Sequence, residues 1–342
     1  MDALISPEIV AGRSVAADQV ASATSLRVGA AMNMIQNAKA NARRRFPRLY
    51  GRWAEWQKGR LPEQVCQILA SKDHYENYGE DVFDRLQHAY GQLWDEYGFD
   101  KYSTWRRGVE RVLHLLEKPA FRGQRNLKVM EAACGEGMTG DAFENAGHQV
   151  TLHDLADWRD ERTKHLDFVA GNLCERLSLP AESFDLICSW NSFEHLESPK
   201  TALAELTRIC KKGGYIYLDF SPLWCSPLGL HALTFHMPYP QFLFSEELIE
   251  TKMQECAPRA PTPVAQEGAW TDQKKHMDLM NKWRISDFRE LWKTSGCELI
   301  SLKETPVSSH INAIANYPLA FRGRGLTLDD VTVAAIAVLL KK

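Results

Sequence analysis

The densest group of chemically useful residues is EAACGEGMTGDAF, Glu131 to Phe143. Gly135, Gly137 and Gly140 remove Cβ atoms from a turn between an apolar run and a helix-like one, so backbone N–H groups can approach a ligand closely. That spacing alone serves NAD, FAD or another nucleoside equally well, and many glycine turns bind nothing. Two carboxylates narrow the choice. Asp154 closes the next β-rich run, HQVTLHD, where it can accept hydrogen bonds from both hydroxyls of a ribose. Glu131 ends the first run, where a pyrophosphate would be repelled and a cationic end tolerated, which favours the sulfonium nucleoside S-adenosyl-L-methionine over a dinucleotide. Glu131 also reads as a carboxylate that only holds backbone amides of the turn.

A second group offers proton chemistry. Asn191 and His195 follow the run FDLICSW, and His231 and His236 lie in a stretch rich in proline and aromatics. The imidazole pKa lies near neutrality, so each histidine can take the proton of an acceptor hydroxyl as a general base. His195 reads equally as a structural histidine beside the following helix. Metal binding is not expected of these histidines, because no carboxylate cluster lies at ligand spacing near them.

These residues need elements to position them. LKVMEAACGEG, HQVTLHD, LDFVAGN, FDLICSWN and GGYIYLDFS are short β-rich runs, and AFENAG, KTALAELTRICKK and DFRELWKTSG read as amphipathic helices. Alternating strand and helix implies parallel strands joined by right-handed crossovers, with ligands at the strand C-termini. Two closing runs, CELISLKETP and VTVAAIAVLLKK, fit an antiparallel final strand. Apolar residues three and four apart from Gln64 to Leu116 predict packed helices. The stretch Ser221 to about Lys282 is too long for a structureless loop and reads as a helical lid. The expected division is a helical N-terminal extension over 1–120, capping the active site, and a main domain over 121–342 with an insertion at 221–282.

In this order the motifs resemble the class I S-adenosylmethionine-dependent methyltransferases, in particular small-molecule enzymes with a glycine-rich first motif, over about Leu127 to Lys342. The resemblance implies a doubly wound α/β fold on a seven-stranded, mostly parallel sheet, S-adenosyl-L-methionine as cofactor, and methyl transfer to oxygen or nitrogen of a small molecule. It implies that Glu131, Ala133, Cys134, Gly135 and Gly137 cradle the aminoacyl end of the cofactor. Asp154, with Leu155 beside it, would bind ribose, and Asn172 and Leu173 would flank the adenine. Asn191 would touch cofactor or acceptor, and Tyr102, just before the helix leading into the first strand, would bring a hydroxyl near the cofactor carboxylate. The family usually has glycine at the position of Ala133 and aspartate at that of Asn172. A non-catalytic cofactor-binding or scaffold protein with the same fold is the alternative.

Composition sets the outer limits. The chain has 342 residues, 44% hydrophobic and 25% charged, which supports a sizeable core. A net charge of -3 gives no overall pull toward nucleic acid or acidic membranes, and the run Arg43, Arg44, Arg45 with Arg48 reads as a solvated helix face. Eight scattered cysteines without a CxxC pair suit a reducing compartment, and no apolar run approaches the roughly 18 residues of a membrane span. The expectation is a cytoplasmic protein with a small-molecule substrate, no nucleic-acid partner and no membrane.

Overall fold

The computed structural model describes residues 61–90, 100–232, 234–256 and 280–342. The arginines at 43–48, the rest of residues 1–60 and residues 257–279 of the expected insertion lie outside them.

Helices α1 (Glu80–Ala89) and α2 (Lys101–Leu116) precede a sheet of seven strands. These are β1 (Lys128–Ala132), β2 (Gln149–Asp154), β3 (Asp167–Ala170), β4 (Phe184–Trp190), β5 (Cys210–Phe220), β6 (Glu298–Pro306) and β7 (Val333–Lys341). Helix α3 (Met138–Asn145) joins β1 to β2, α4 (Pro199–Ile209) joins β4 to β5, and α5 (Pro240–Leu243), α6 (Glu246–Cys256) and α7 (Ile285–Thr294) lie between β5 and β6. Strand order is β3-β2-β1-β4-β5-β7-β6. Neighbours from β3 to β5 are parallel, and β7 runs antiparallel between β5 and β6. This is the expected doubly wound sheet.

The apolar character of the strands follows from having helices on both faces. One face buries Met130, Ile187, Ile216 and Val338 against Leu203 and Leu206 of α4 and Phe288 and Trp292 of α7. The other buries Val129, Leu152, Leu186 and Tyr217 against Val112 and Leu115 of α2 and Phe143 of α3. Strand β6 is the exception. It lies at the sheet edge with Leu299, Ile300 and Leu302 exposed, and β7 is its sheet partner. The expected helix through Lys212 ends three residues earlier, at Ile209. There Cys210 pairs with Phe184, and the register then shifts so that Leu186 pairs with Tyr215.

A third core belongs to neither face. It joins Val65 and Leu69 from a helical stretch over 61–70, Phe83 of α1, Phe235, Tyr239 and Phe244 of the insertion, and Phe321 and Val331 from the segment before β7. Phe83 meets Phe235 and Phe244 edge-on, and Tyr239 meets Phe321 at 90°. Residues 61–90 and the described insertion residues therefore share one apolar interior. Among the described residues, no helix is long and apolar enough to cross a membrane.

Helix α2 presses directly on the start of α3. A Cβ on Gly108 would lie 2.6 Å from the Met138 carbonyl oxygen. Alanine favours a helix over glycine by about 1 kcal/mol, but here the clash with rigid backbone outweighs it. Gly108→Ala should destabilise the chain by about 1–3 kcal/mol, the usual range for overpacking, as read from urea unfolding. Unchanged or raised stability would show that α2 is not in close contact with the loop.

Candidate active site

The glycine turn is built by backbone geometry and two carboxylates. Ala133, Gly135 and Gly137 have φ of 55°, 52° and 77°. For Ala133 this left-handed conformation costs about 1–2 kcal/mol, which accounts for glycine being usual at that position in the family it resembles. The Gly135 N–H donates to Asp154 Oδ2 at 2.8 Å, and the Leu155 N–H donates to Asp154 Oδ1 at 2.7 Å. The Gly140 N–H, in the first turn of α3, donates to Glu131 Oε2 at 2.8 Å. Cys134 N–H bonds the His153 carbonyl, stitching the turn to the tip of β2.

The glycines divide by what surrounds them. A Cβ on Gly137 would strike Leu152 and Thr163, and one on Gly140 would strike Leu152, so packing alone requires both. Above Gly135 a Cβ would meet no heavy atom within 4 Å. The backbone there borders open space beside the Asp154 carboxylate, a cradle that a nucleoside can enter.

Glu131 departs from its first expected role. It is only 3% exposed, and its carboxylate points at the N-terminus of α3. Burial pushes its pKa up to about 7, against the opposing pull of Arg111, Thr139 and the Gly140 amide. It holds amides beneath the turn, the second of the two sequence readings. Arg111 of α2, which sequence reasoning missed, lies 5.4 Å over the Trp190 ring and acts electrostatically on Glu131. The available signal was an arginine set beside the buried stripe Gly108, Val112 and Leu115.

Other expected cofactor residues scatter. Asn172 accepts the Cys174 N–H into its own turn, 2.9 Å away, close to the tip of β2 where the Gly171 N–H bonds the Asp154 carbonyl. Leu173, expected beside the adenine, is instead buried in the core on the α4 face. Cys134 is also buried, its thiol pushed far above the ordinary range, whereas Leu155 is exposed beside Asp154. Tyr102 lies inside the first turn of α2 rather than before it; it is 66% exposed, with its ring against Trp105. Asn191, at φ 50° immediately after β4, ties the tips of two strands by donating its N–H to the Asp219 carbonyl.

Two of the three histidines meet. The rings of His195 and His231 are 4.8 Å apart between centroids, edge to face at 79°. His231 Nε2 lies 3.1 Å from the Pro222 carbonyl, directly after β5. Glu194 stands with them: its Oε1 is 4.0 Å from His195 Nε2, it is 1% exposed, and among the described residues neither carboxylate oxygen has a hydrogen-bond partner. Burial pushes its pKa up to about 8. Asn281 fixes this turn, donating its backbone N–H to the Glu194 carbonyl and its side-chain amide to the Phe193 carbonyl. His236 is placed differently. Its N–H donates to Gln87 Oε1 and its Nδ1 sits 3.2 Å from the Gln87 carbonyl on α1, so it belongs to the third core's rim rather than to the pair.

A cavity of about 520 Å³ lined by Lys128, His148, Gln149, Asp167 and Phe184 lies at the opposite edge of the sheet, where β1, β2, β3 and β4 begin. The glycine turn and the histidines lie at the C-terminal edge, where open α/β sheets bind ligands.

Residues 130–218, from β1 into β5, match a family model described as a methyltransferase domain. A demethylmenaquinone methyltransferase of Renibacterium salmoninarum is 26% identical over 208 residues, covering 59% of this chain and 79% of that protein. A tRNA 5-carboxymethoxyuridine methyltransferase of Escherichia coli is 25% identical over 197 residues, covering 53% of this chain and 69% of that protein. A solved S-adenosylmethionine-dependent methyltransferase from Mesorhizobium loti aligns with 69% of this chain and 98% of its own, at 13% identity and a TM-score of 0.41.

The buried Glu131 makes stability depend on pH. Its pKa of about 7 in the fold exceeds the ordinary 4.5, so between those values the folded chain holds a proton that the unfolded chain has lost. Stability from this group therefore falls as pH rises from 4.5 to 7, by an amount on the order of 1–3 kcal/mol. Urea unfolding at pH 5 and pH 7 should show this decline, and Glu131→Gln should flatten it. An identical pH slope in the variant would rule out the assignment.

Proposed function

We propose that this chain, a class I S-adenosylmethionine-dependent methyltransferase, methylates an oxygen or nitrogen of a small-molecule acceptor seated between the tips of β4 and β5 and the third core. The observation that carries the reading is the open space above Gly135, bordered by the Asp154 carboxylate. An adenosyl group needs such a backbone surface free of side chains, with a ribose-binding acid beside it.

S-adenosyl-L-methionine, when bound, supplies a methyl carbon made electrophilic by its cationic sulfur. Asp154 accepts from the ribose hydroxyls while keeping Gly135 in place. Leu155 and Asn172 border the adenine end, and Gly135 and Gly137 present backbone to the aminoacyl end. Arg111 sets a guanidinium near that end, suited to a carboxylate. An acceptor hydroxyl must lose its proton as it gains the methyl, and the edge-to-face pair His195 and His231 would take that proton. Holding acceptor and methyl donor in line contributes much of the rate, because a bimolecular reaction becomes effectively unimolecular.

Two features support a small molecule over a tRNA acceptor. The chain's net charge of -3 provides no excess of phosphate-binding cations. The shared apolar interior also stands beside His231 and offers an enclosed, water-poor setting. A cytoplasmic location is part of the same reading.

Incubation with methyl-labelled cofactor, separately with fractionated metabolites and with bulk tRNA, tests the proposal. Label is expected in a metabolite fraction; label in tRNA alone would replace the acceptor class, and no label with either would favour a non-catalytic binder. Asp154→Ala should weaken cofactor binding by roughly 1.5–3 kcal/mol, the value of hydrogen bonds to a charged group. His195→Ala should abolish most turnover while leaving cofactor affinity nearly unchanged, measured by calorimetry beside a rate assay.

A further inference from the structure

We infer that Glu194, His195 and His231 form a binding site for a divalent transition-metal ion of the zinc type. One ligand atom from each residue lies within 4.8 Å of the other two. An ion with bonds of about 2.0–2.2 Å to nitrogen and oxygen can draw three such atoms together by small side-chain rotations. The donor set of two imidazoles and one carboxylate suits zinc, iron(II) or manganese, whereas magnesium and calcium prefer oxygen alone.

The carboxylate supplies the independent observation. Glu194 is 1% exposed, and among the described residues both its oxygens lack a hydrogen-bond partner. A buried carboxylate without partners is unfavourable in either protonation state, and folds retain one where something else satisfies it. The backbone amides of Glu194 and Ser221 act on the carboxylate and the His195 imidazole lies 4.0 Å from it, and a dication held among Glu194, His195 and His231 would satisfy it. The Pro222 carbonyl at His231 Nε2 matches the second contact that metal-bound imidazoles usually make, which fixes ring orientation and tautomer.

The scaffold is rigid enough for such a site. Glu194 and His195 sit in a turn after β4 that Asn281 holds at two carbonyls, and the His195 N–H closes the turn on the Ser192 carbonyl. Adjacent strand β5 delivers Pro222 and then His231. Three protein ligands leave a coordination position for an oxygen of the acceptor.

The ion's role rests on the methyl-transfer reading; its binding does not. Coordination would lower the pKa of an acceptor hydroxyl, whose proton then passes to solvent, and in the metal-bound protein this would replace the proton acceptance by His195 and His231 described above. The acceptor oxygen then forms its bond to the methyl carbon while the carbon–sulfur bond breaks and its electron pair stays on sulfur. The metal keeps its charge throughout. Acceptors with a phenolic or enolic hydroxyl fit this chemistry best.

The test uses the full chain, stripped with a chelator and titrated with Co2+ while visible absorption is followed, then back-titrated with Zn2+. One equivalent of bound metal is expected, with absorption bands of a nitrogen- and oxygen-ligated site of low coordination number. Glu194→Gln and His231→Gln should each weaken binding at least tenfold, with the circular dichroism spectrum unchanged, whereas His165→Ala, at a surface histidine, should leave it intact. Absence of saturable binding, or binding in both site variants as tight as in the unaltered chain, would overturn the site. S-adenosyl-L-methionine affinity measured beside the Co2+ titration keeps the two ideas apart: cofactor binding with no saturable Co2+ binding sinks the metal site alone, and saturable Co2+ binding with no cofactor binding sinks the methyltransferase reading alone.

Discussion

Two backbone amides of one turn, those of Gly135 and Gly140, are each taken by a carboxylate from a neighbouring strand. The rest of the site depends on this arrangement. Hydrogen bonds accepted by Asp154 and Glu131 hold a turn whose left-handed residues would otherwise relax, and they hold it at the tips of β1 and β2. The chain meets the cost of Ala133 in a left-handed conformation and of a buried Glu131 at one place, and strain concentrated this way is typical of ligand sites. Helix α2 then closes on the turn from outside through Gly108 and brings Arg111 over Trp190. Cofactor geometry and helix packing are therefore a single problem, because the same few residues solve both.

The proposed acceptor side follows a different logic. It has no glycine turn; its order comes from strand tips and from backbone carbonyls held by side chains. Asn191 links β4 to β5, Asn281 fixes the turn bearing Glu194 and His195, and Pro222 positions His231. The shared apolar interior beside it draws on segments before and after the sheet.

Much of the fold was legible because strands covered on both faces read as apolar runs, and FDLICSW and YIYLDF could be little else. The boundary at Cys210 was not, since a register shift after Phe184 extends the strand through two lysines and two glycines that look like a helix end and turn. In the site, Asp154 and the glycines were recognisable from type and spacing. Glu131 was recognisable as a carboxylate at a strand tip, but its direction depends on where α3 begins, which spacing does not encode. Leu173 and Tyr102 were misplaced for a related reason: one position along a turn decides between core and solvent. Arg111 and Glu194 were missed because a charged residue in a helical or β-turn run looks like surface until burial is known. The meeting of His195 with His231 depends on adjacent strand tips, which no local pattern states.

Strand β7 has a position with consequences for how the molecule is assembled during synthesis. It is central to its half of the sheet, between β5 and β6, yet it follows both in sequence. Until the ribosome has released the chain through Lys341, the exposed edge of β5 stays open and β6 has no strand to pair with. The parallel half, with its glycine turn, can form early from local βαβ units, whereas the antiparallel half must wait for distant pairing, which is intrinsically slow. The interval between leaves two strand edges unpaired, each a template for pairing with another nascent chain, and Leu299, Ile300 and Leu302 stay exposed on β6 even after β7 has joined it.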